Sequence, residues 1–341
     1  MARPLPETEL QEAVELVKDW SSLHGARIFI TGGTGFFGKW LLEVLGAAER
    51  AFNLKIEAVV LSRDPVIFLQ TMPHLQNQSW LRFHTGDITT LETPSGRFSH
   101  VIHGAASSDA RDYARDPMAM YRTIVEGTRR VLEVMAKQDS FRMLFLSSGA
   151  VYGPQPPDLE HIPEDYPLPL ILDNPLESYA QAKREAEALV VEACRSRGLV
   201  CPIARCFAFS GPHLPLDQHF AFGNFVRDAL NGGPIRITGD GTPVRSYLYA
   251  SEMAGWLFTL LIKGGSTTYH VGSDQGLTIR NLAYAIGNFS SVSVEGGVEP
   301  PPGIRPARYV PALTRMSKCF GIRQTIGLEE TIARTMQWHR G

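Results

Sequence analysis

The sequence predicts an α/β fold: a doubly wound parallel sheet with a smaller C-terminal substrate-binding lobe. Three observations predict it. Short, continuously apolar runs alternate with helical ones through the first 207 residues, the pattern of strands covered by helices on both faces. A glycine-rich turn, Thr31-Gly32-Gly33-Thr34-Gly35-Phe36-Phe37-Gly38, joins the first strand of that series to its first helix. Beyond residue 208 the alternation gives way to shorter elements split by Gly- and Pro-rich turns, such as NGGPIRITGDGTP over 231–243. The expected division is an N-terminal helical extension over 1–25, a sheet domain over 26–207 and a lobe over 208–341, with a strand near 267–272 placed to return to the main sheet.

Residues 8–20 carry Leu10, Val14, Leu16, Val17 and Trp20 at helical spacing, with Thr8 as the expected N-cap. Strands are expected over 26–33, 56–63, 81–87 and 100–106, with a helix over 38–50 between the first two. A long helix over 118–138 precedes a fifth strand, 141–153, that runs into a loop. Residues 154–175 are Pro-rich and irregular, and loops of this length are usually functional. Asn174 as N-cap, Pro175 at the first position and Glu177 at the third signal the next helix. A sixth strand is expected over 199–207.

Composition narrows the function classes. With 341 residues, 44% apolar and 20% charged, the chain has the makeup of a soluble globular protein of about two domains. Lys plus Arg is 33 and Asp plus Glu is 35, a net charge of −2, so no overall field holds nucleic acid or an anionic membrane. The longest apolar run, Ala254 to Ile262, is nine residues, under half of a membrane span. Four cysteines without CxxC spacing argue against a disulfide framework or a metal site. The first ten residues lack the apolar stretch of a signal peptide. The expectation is a cytoplasmic protein with a small-molecule substrate.

The glycines at 32, 35 and 38 have the spacing GxxGxxG. Between a strand and a helix, such glycines let backbone approach a pyrophosphate at the helix N-terminus. Gly32, Thr34, Gly35, Phe36, Phe37 and Gly38 are therefore the candidate cofactor cradle. The second strand ends in Ser62-Arg63, where a carboxylate would select NAD through its ribose hydroxyls. A hydroxyl plus a guanidinium suits a 2′-phosphate, which favours NADP(H) over NAD(H). Tyr179 and Lys183 stand at i and i+4, on one helix face. An ammonium beside a phenol favours the phenolate and suits the tyrosine to proton exchange near neutral pH. Ser148 sits where the fifth strand ends, the side on which open parallel sheets bind ligands. His100 and His103, three apart on a strand, point to opposite faces and are not expected to share a metal. His213 and His219 read as ordinary surface or core histidines. Arg245, after a Gly-Asp-Gly turn, is a candidate phosphate clamp, and Asn224 a further candidate substrate contact.

Together TGGTGFFG (31–38), GDI (86–88), HGAA (103–106), SSGAVYG (147–153), YAQAK (179–183), GP (211–212) and RSYLYASE (245–252) resemble the extended short-chain dehydrogenase/reductase family, the NAD(P)-dependent epimerases and dehydratases of nucleotide sugars. The resemblance runs from about residue 26 onward and implies a Rossmann-like fold. It implies Asp87 and Ile88 on the adenine side, and Ala105 and Ala106 along the nicotinamide ribose. It implies Tyr179 as acid/base, Lys183 on the ribose, Ser148 as the hydroxyl partner and Arg245 on the substrate diphosphate. It also implies a homodimer through the helices around 118–138 and 175–195.

Departures from the family pattern are Ile124 before Gly127-Thr128, Ala208 before the Gly-Pro, and Glu252 where an Asp is usual. The 4,6-dehydratases of the family carry an Asp-Glu pair just after the catalytic hydroxyl; here Gly149 and Ala150 stand there. The expected activity is NADP(H)-dependent reduction of a 4-keto-6-deoxyhexose on a nucleoside diphosphate. Alternatives are an epimerase that retains NAD, a dehydratase with another acid/base pair, and a non-catalytic NADP-binding regulator.

Overall fold

The structure, a computed structural model, describes residues 3–106, 116–138, 140–169, 177–218, 220–298, 303 and 305–341. Asn174, Pro175 and His219 lie outside the described residues.

The apolar runs become short buried strands. They are β1 (Arg27–Thr31), β2 (Glu57–Ser62), β3 (Leu81–Thr85), β4 (His100–His103), β5 (Arg142–Ser148) and β6 (Ile203–Cys206). Helices separate them: α2 (Phe36–Phe52), α3 (Pro65–Thr71), α4 (Pro117–Lys137) and α5 (Ser178–Arg197), after an N-terminal α1 (Glu7–Glu15). The seven-stranded sheet has the order β11-β6-β5-β4-β1-β2-β3, with β11 (Thr268–Val271) at its edge as the strand expected near 267–272. β1 pairs in parallel with both β2 and β4, so the strand order reverses at β1, and a crevice opens at the carboxyl ends of β1 and β4. Thr31 and His103 are register partners there.

Two of the crossover helices show a local start signal and the other two a local stop signal. Asp64 accepts from Ile67 N at 2.9 Å and Asp116 from Ala119 N at 2.8 Å, each with Pro at the next position. α2 stops at Asn53 and α5 at Gly198, both left-handed. Gly127 on α4 carries no side chain because a Cβ there would meet Ile88 Cγ1 at 2.8 Å.

The expected Thr8 cap is not observed. α1 starts one residue earlier, after an extended Pro6, and Glu7 and Glu9 in its first turn complement the helix dipole. The extension is part of the main body. Leu5 N donates to Glu43 Oε2 of α2 at 2.9 Å, and Trp20 packs on Phe258 at 4.9 Å. Gly255 makes room for Leu16, whose Cβ lies 2.9 Å from where a Gly255 Cβ would stand.

The chain forms two compact units, and their limits interleave rather than falling at residue 208. One comprises Met1–Val151, Leu170–Arg205 and Ala254–Tyr269; the other comprises Tyr152–Pro169, Cys206–Met253 and His270–Gly341. The second contains small sheets, β10-β7 (Leu248–Tyr249 with Phe209–Ser210), β12-β9-β14 (Leu277–Thr278, Val244–Arg245, Arg308–Tyr309) and β13-β8 (Val294–Gly296 with Ile235–Ile237). Its helices are α6 (Ala221–Leu230), the start of α7 (Ala250–Lys263), α8 (Ile279–Ser290), α9 (Thr314–Phe320) and α10 (Leu328–Arg340). Among the described residues no helix is long and apolar enough to cross a membrane.

Glu252 is 1% exposed in the second unit and accepts from Thr325 N at 2.6 Å and Thr325 Oγ1 at 3.0 Å. Burial outweighs these bonds and raises its carboxyl from the ordinary 4.5 to about 7. The unfolded chain therefore ionises first as pH rises, and the folded state loses stability from pH 4.5 up to about 7. The loss is roughly 3 kcal/mol. Urea unfolding at pH 5 and pH 8 should show a smaller pH-dependent loss in Glu252→Gln than in the parent protein; identical losses in the two would refute this origin.

Candidate active site

The glycine turn follows β1 directly, and its glycines serve different purposes. Gly32 has φ +74, and a Cβ there would lie 2.5 Å from Gly104 O, so the ends of β1 and β4 touch backbone to backbone. Gly38 lies against the turn itself, where a Cβ would meet the Gly33 carbonyl carbon at 2.2 Å. Gly35 differs. Its φ is −82, and a Cβ there would touch only Gly32 O, at an ordinary 3.5 Å. It is exposed at the N-cap of the 17-residue α2, and no side chain caps that helix. The protein's own packing thus does not require glycine at 35. A dinucleotide pyrophosphate fits the open N–H groups of α2 at that place. Thr34, Phe36 and Phe37 flank it, the two phenyl rings edge to face at 5.7 Å.

At the end of β2, Ser62 is buried and its Oγ accepts from Asp64 N at 3.2 Å. Arg63 is exposed. Asp64, its neighbouring carboxylate, is committed to capping α3. After β3, Asp87 takes the amide and hydroxyl of Thr89 on Oδ1, at 2.9 and 2.7 Å. Partial burial pushes its carboxyl up, but the Thr89 hydrogen bonds and the Arg63 charge win and hold it below the ordinary value. Ile88 is buried against α4 rather than open to a ligand; its backbone is the part left for one.

β4 ends in a hydrogen-bond relay. Thr128 Oγ1 donates to Ile124 O at 2.7 Å, so it must accept from His103 Nε2–H at 3.0 Å. His103 Nδ1 then accepts from the Thr31 hydroxyl at 2.7 Å. Thr31 Oγ1 in turn accepts the amides of Gly104 and Ala105, each at 3.2 Å. Full burial and the nearby Lys183 charge lower the His103 pKa to about 3, so the ring stays neutral. The relay fixes Ala105, half-buried with Ala106 at the crevice. His100 is a separate buried ring, lowered to about 4 by burial and Arg142.

The end of β5 meets α5. Lys183 is 4% exposed; its Nζ donates to Leu146 O at 2.8 Å and lies 6.0 Å from the centroid of the Tyr179 ring. Ser148 Oγ accepts from Ala150 N at 3.1 Å and so starts the turn over Gly149–Tyr152. Capping uses acceptor capacity only. One helical turn beyond Lys183, Glu187 accepts from Ser147 Oγ at 2.5 Å and pairs with the Nε–Nη2 edge of the Arg205 guanidinium, at 3.0 and 2.6 Å.

The main unit therefore holds the glycine turn, Ser62, Arg63, Asp87, Ala105, Ser148, Tyr179 and Lys183. Asn224 and Arg245 belong to the other unit. Asn224 Oδ1 accepts from Arg227 at 3.0 Å. Arg245 donates to Val244 O at 2.9 Å, stands 6.0 Å from the Tyr309 ring, and pairs with no carboxylate among the described residues. His213 packs on Trp338 at 4.9 Å. No group of three or more potential metal ligands occurs among the described residues. Sequence reasoning missed Thr31, Thr128, Glu187 and Arg205. Only Glu187 left a signal, its four-residue spacing from Lys183.

The two glycines separate folding from binding. Gly38→Ala should lower stability by about 1–3 kcal/mol through overpacking. Gly35→Ala should cost under about 1 kcal/mol yet weaken dinucleotide binding at least tenfold, a difference of about 1.4 kcal/mol. Thermal melting and fluorescence titration with NADPH and NADH check both; undiminished affinity in Gly35→Ala would remove the cradle assignment.

Comparison with known proteins places the chain and its fold. UDP-glucuronic acid decarboxylase 5 of Arabidopsis thaliana is 27% identical over 310 residues, covering 89% of this chain and 86% of its own. The solved dTDP-glucose 4,6-dehydratase DesIV of Streptomyces venezuelae, with NAD bound, is 25% identical, with a TM-score of 0.77 over 92% of this chain and 97% of its own. The UDP-glucose 4-epimerase of Thermotoga maritima, with UDP-glucose, shares the fold at 21% identity, with a TM-score of 0.75 over 92% and 98%. Residues 28–272 match the model of the NAD dependent epimerase/dehydratase family, and the chain belongs to that family.

Proposed function

We propose that this protein moves hydride between a nicotinamide dinucleotide and the sugar of a nucleoside-diphosphate sugar, and that it reduces a 4-keto-6-deoxyhexose. The observation that carries the reading is the meeting of β5 and α5. A phenol lies one turn from a buried ammonium that binds Leu146 O, two residues before Ser148 on β5, with Gly149 and Ala150 following.

The Gly32–Gly38 turn would hold the dinucleotide, which when bound would supply the hydride. Ser148 donates to the sugar carbonyl oxygen and orients it. Tyr179 gives its proton to that oxygen as the carbonyl becomes a carbinol. Lys183, its ammonium held by Leu146 O, stabilises the phenolate left behind. Neutral His103 adds no competing charge beside it. Gly149 and Ala150 cannot take or deliver a proton, which disfavours elimination of water. Arg63, with Asp64 committed to the α3 cap, suits the 2′-phosphate of NADPH, at about 1.5–3 kcal/mol per charged hydrogen bond.

A second reading has a specific observation behind it. The relatives include proteins named as decarboxylases, and a solved dehydratase relative holds NAD. In such a cycle Tyr179 first removes the proton and hydride returns to the sugar, with no net use of cofactor.

Incubation with NADPH and a panel of nucleotide 4-keto-6-deoxysugars, followed by nicotinamide absorbance and product chromatography, tests the proposal. One NADPH should be oxidised per sugar reduced. Tyr179→Phe should lower kcat at least a hundredfold and leave NADPH binding intact. A new sugar formed without net cofactor loss would replace the reductase with the second reading. For the selector, Arg63→Ala should weaken NADPH about tenfold or more and leave NADH unchanged; equal effects on both cofactors would contradict its role.

A further inference from the structure

Tyr179, Lys183 and Glu187 stand at i, i+4 and i+8 on one face of α5. Lys183 and Glu187 both fasten that face to β5, through Leu146 O at 2.8 Å and Ser147 Oγ at 2.5 Å. Ser147 is the residue next to Ser148. A carboxylate one turn from Lys183 is an unfavourable choice for a site that needs a positive field on a phenol. It would draw on the same ammonium and oppose formation of the phenolate. Arg205 of β6 removes this conflict. Its fork closes on Glu187 at 3.0 and 2.6 Å, and both side chains are 7% exposed.

The geometry points to Glu187, closed by Arg205, as the positioning residue that fixes the Tyr179–Lys183 face against the end of β5 while adding no net charge beside Lys183. This rests on the proposed role of Tyr179. Three further titratable groups lie near the pair on β4 and α5. His103 from β4 is held neutral. Arg184 on α5 pairs with Glu177 at 3.2 Å, and Glu185 is bound by Tyr121 of α4.

The test is a charge test: if the two charges cancel at Tyr179, removing either one alone should shift the phenol, in opposite directions. Eight residues of helix place Glu187 about 12 Å from Tyr179. At that separation one uncompensated charge moves the pH midpoint of the phenol by about half to one unit. Ultraviolet titration of the phenolate, with Tyr179→Phe identifying the step, should give a midpoint that rises in Arg205→Gln and falls in Glu187→Gln. The double variant Glu187→Gln/Arg205→Gln should return close to the parent value. Absence of any step lost in Tyr179→Phe would instead overturn the proposed role of Tyr179. Shifts of the same sign in both single variants, or none in either, would overturn the charge balance. Where a single variant fails to fold, the exchanged pair Glu187→Arg/Arg205→Glu, which keeps a buried ion pair, serves: it sets the cation on the helix and should lower the midpoint, and an unmoved midpoint overturns the proposal.

Discussion

The backbone contact between Gly32 and Gly104 is the constraint on which the rest depends. It brings the ends of β1 and β4 so close that a Cβ at Gly32 would lie 2.5 Å from a carbonyl oxygen. That approach forms the crevice where the strand order reverses. It places the N-terminus of α2 over the crevice and sets Thr31 opposite His103. The relay through Thr31, His103 and Thr128 then ties the crevice to α4. A larger residue at 32 would part these strand ends, and the turn, the relay and the helix start would shift together.

Electrostatics on the other side of β4 centres on the buried ammonium of Lys183. Lys183 is nearly inaccessible, yet one of its protons is satisfied by Leu146 O. Its buried neighbours are either kept neutral, as His103 is, or cancelled in a pair, as Glu187 and Arg205 are. A charge buried without such partners would cost several kcal/mol. The same arrangement gives Tyr179 a nearby positive charge that solvent screens little.

Much of this was legible in the sequence, and the parts that were not share a cause. β1, β2 and β5 were readable because burial on both faces makes their runs continuously apolar. The glycine turn was readable because its residues lie together in the chain, and Tyr179–Lys183 because helical spacing brings them together. Thr8 misled as a cap: the choice between Thr8 and a start after Pro6 depends on how α1 meets α2. The division of the chain was hidden as well, since residues 152–169 and 254–269 each leave their sequence neighbours for the other unit. The Thr31–His103–Thr128 relay and the Ser147–Glu187–Arg205 cluster join residues 18 to 72 positions apart. No local pattern marks such partners; only the sheet order brings them together.

In the proposed reaction hydride crosses between a dinucleotide at the glycine turn and the carbon whose oxygen Tyr179 serves. The most direct measurement is isotopic. Protein incubated with NADPH deuterated at the reactive nicotinamide carbon, and with a nucleotide 4-keto-6-deoxysugar, should give a sugar carrying deuterium at C4. A reduced or rearranged sugar without deuterium from the added cofactor would contradict the account.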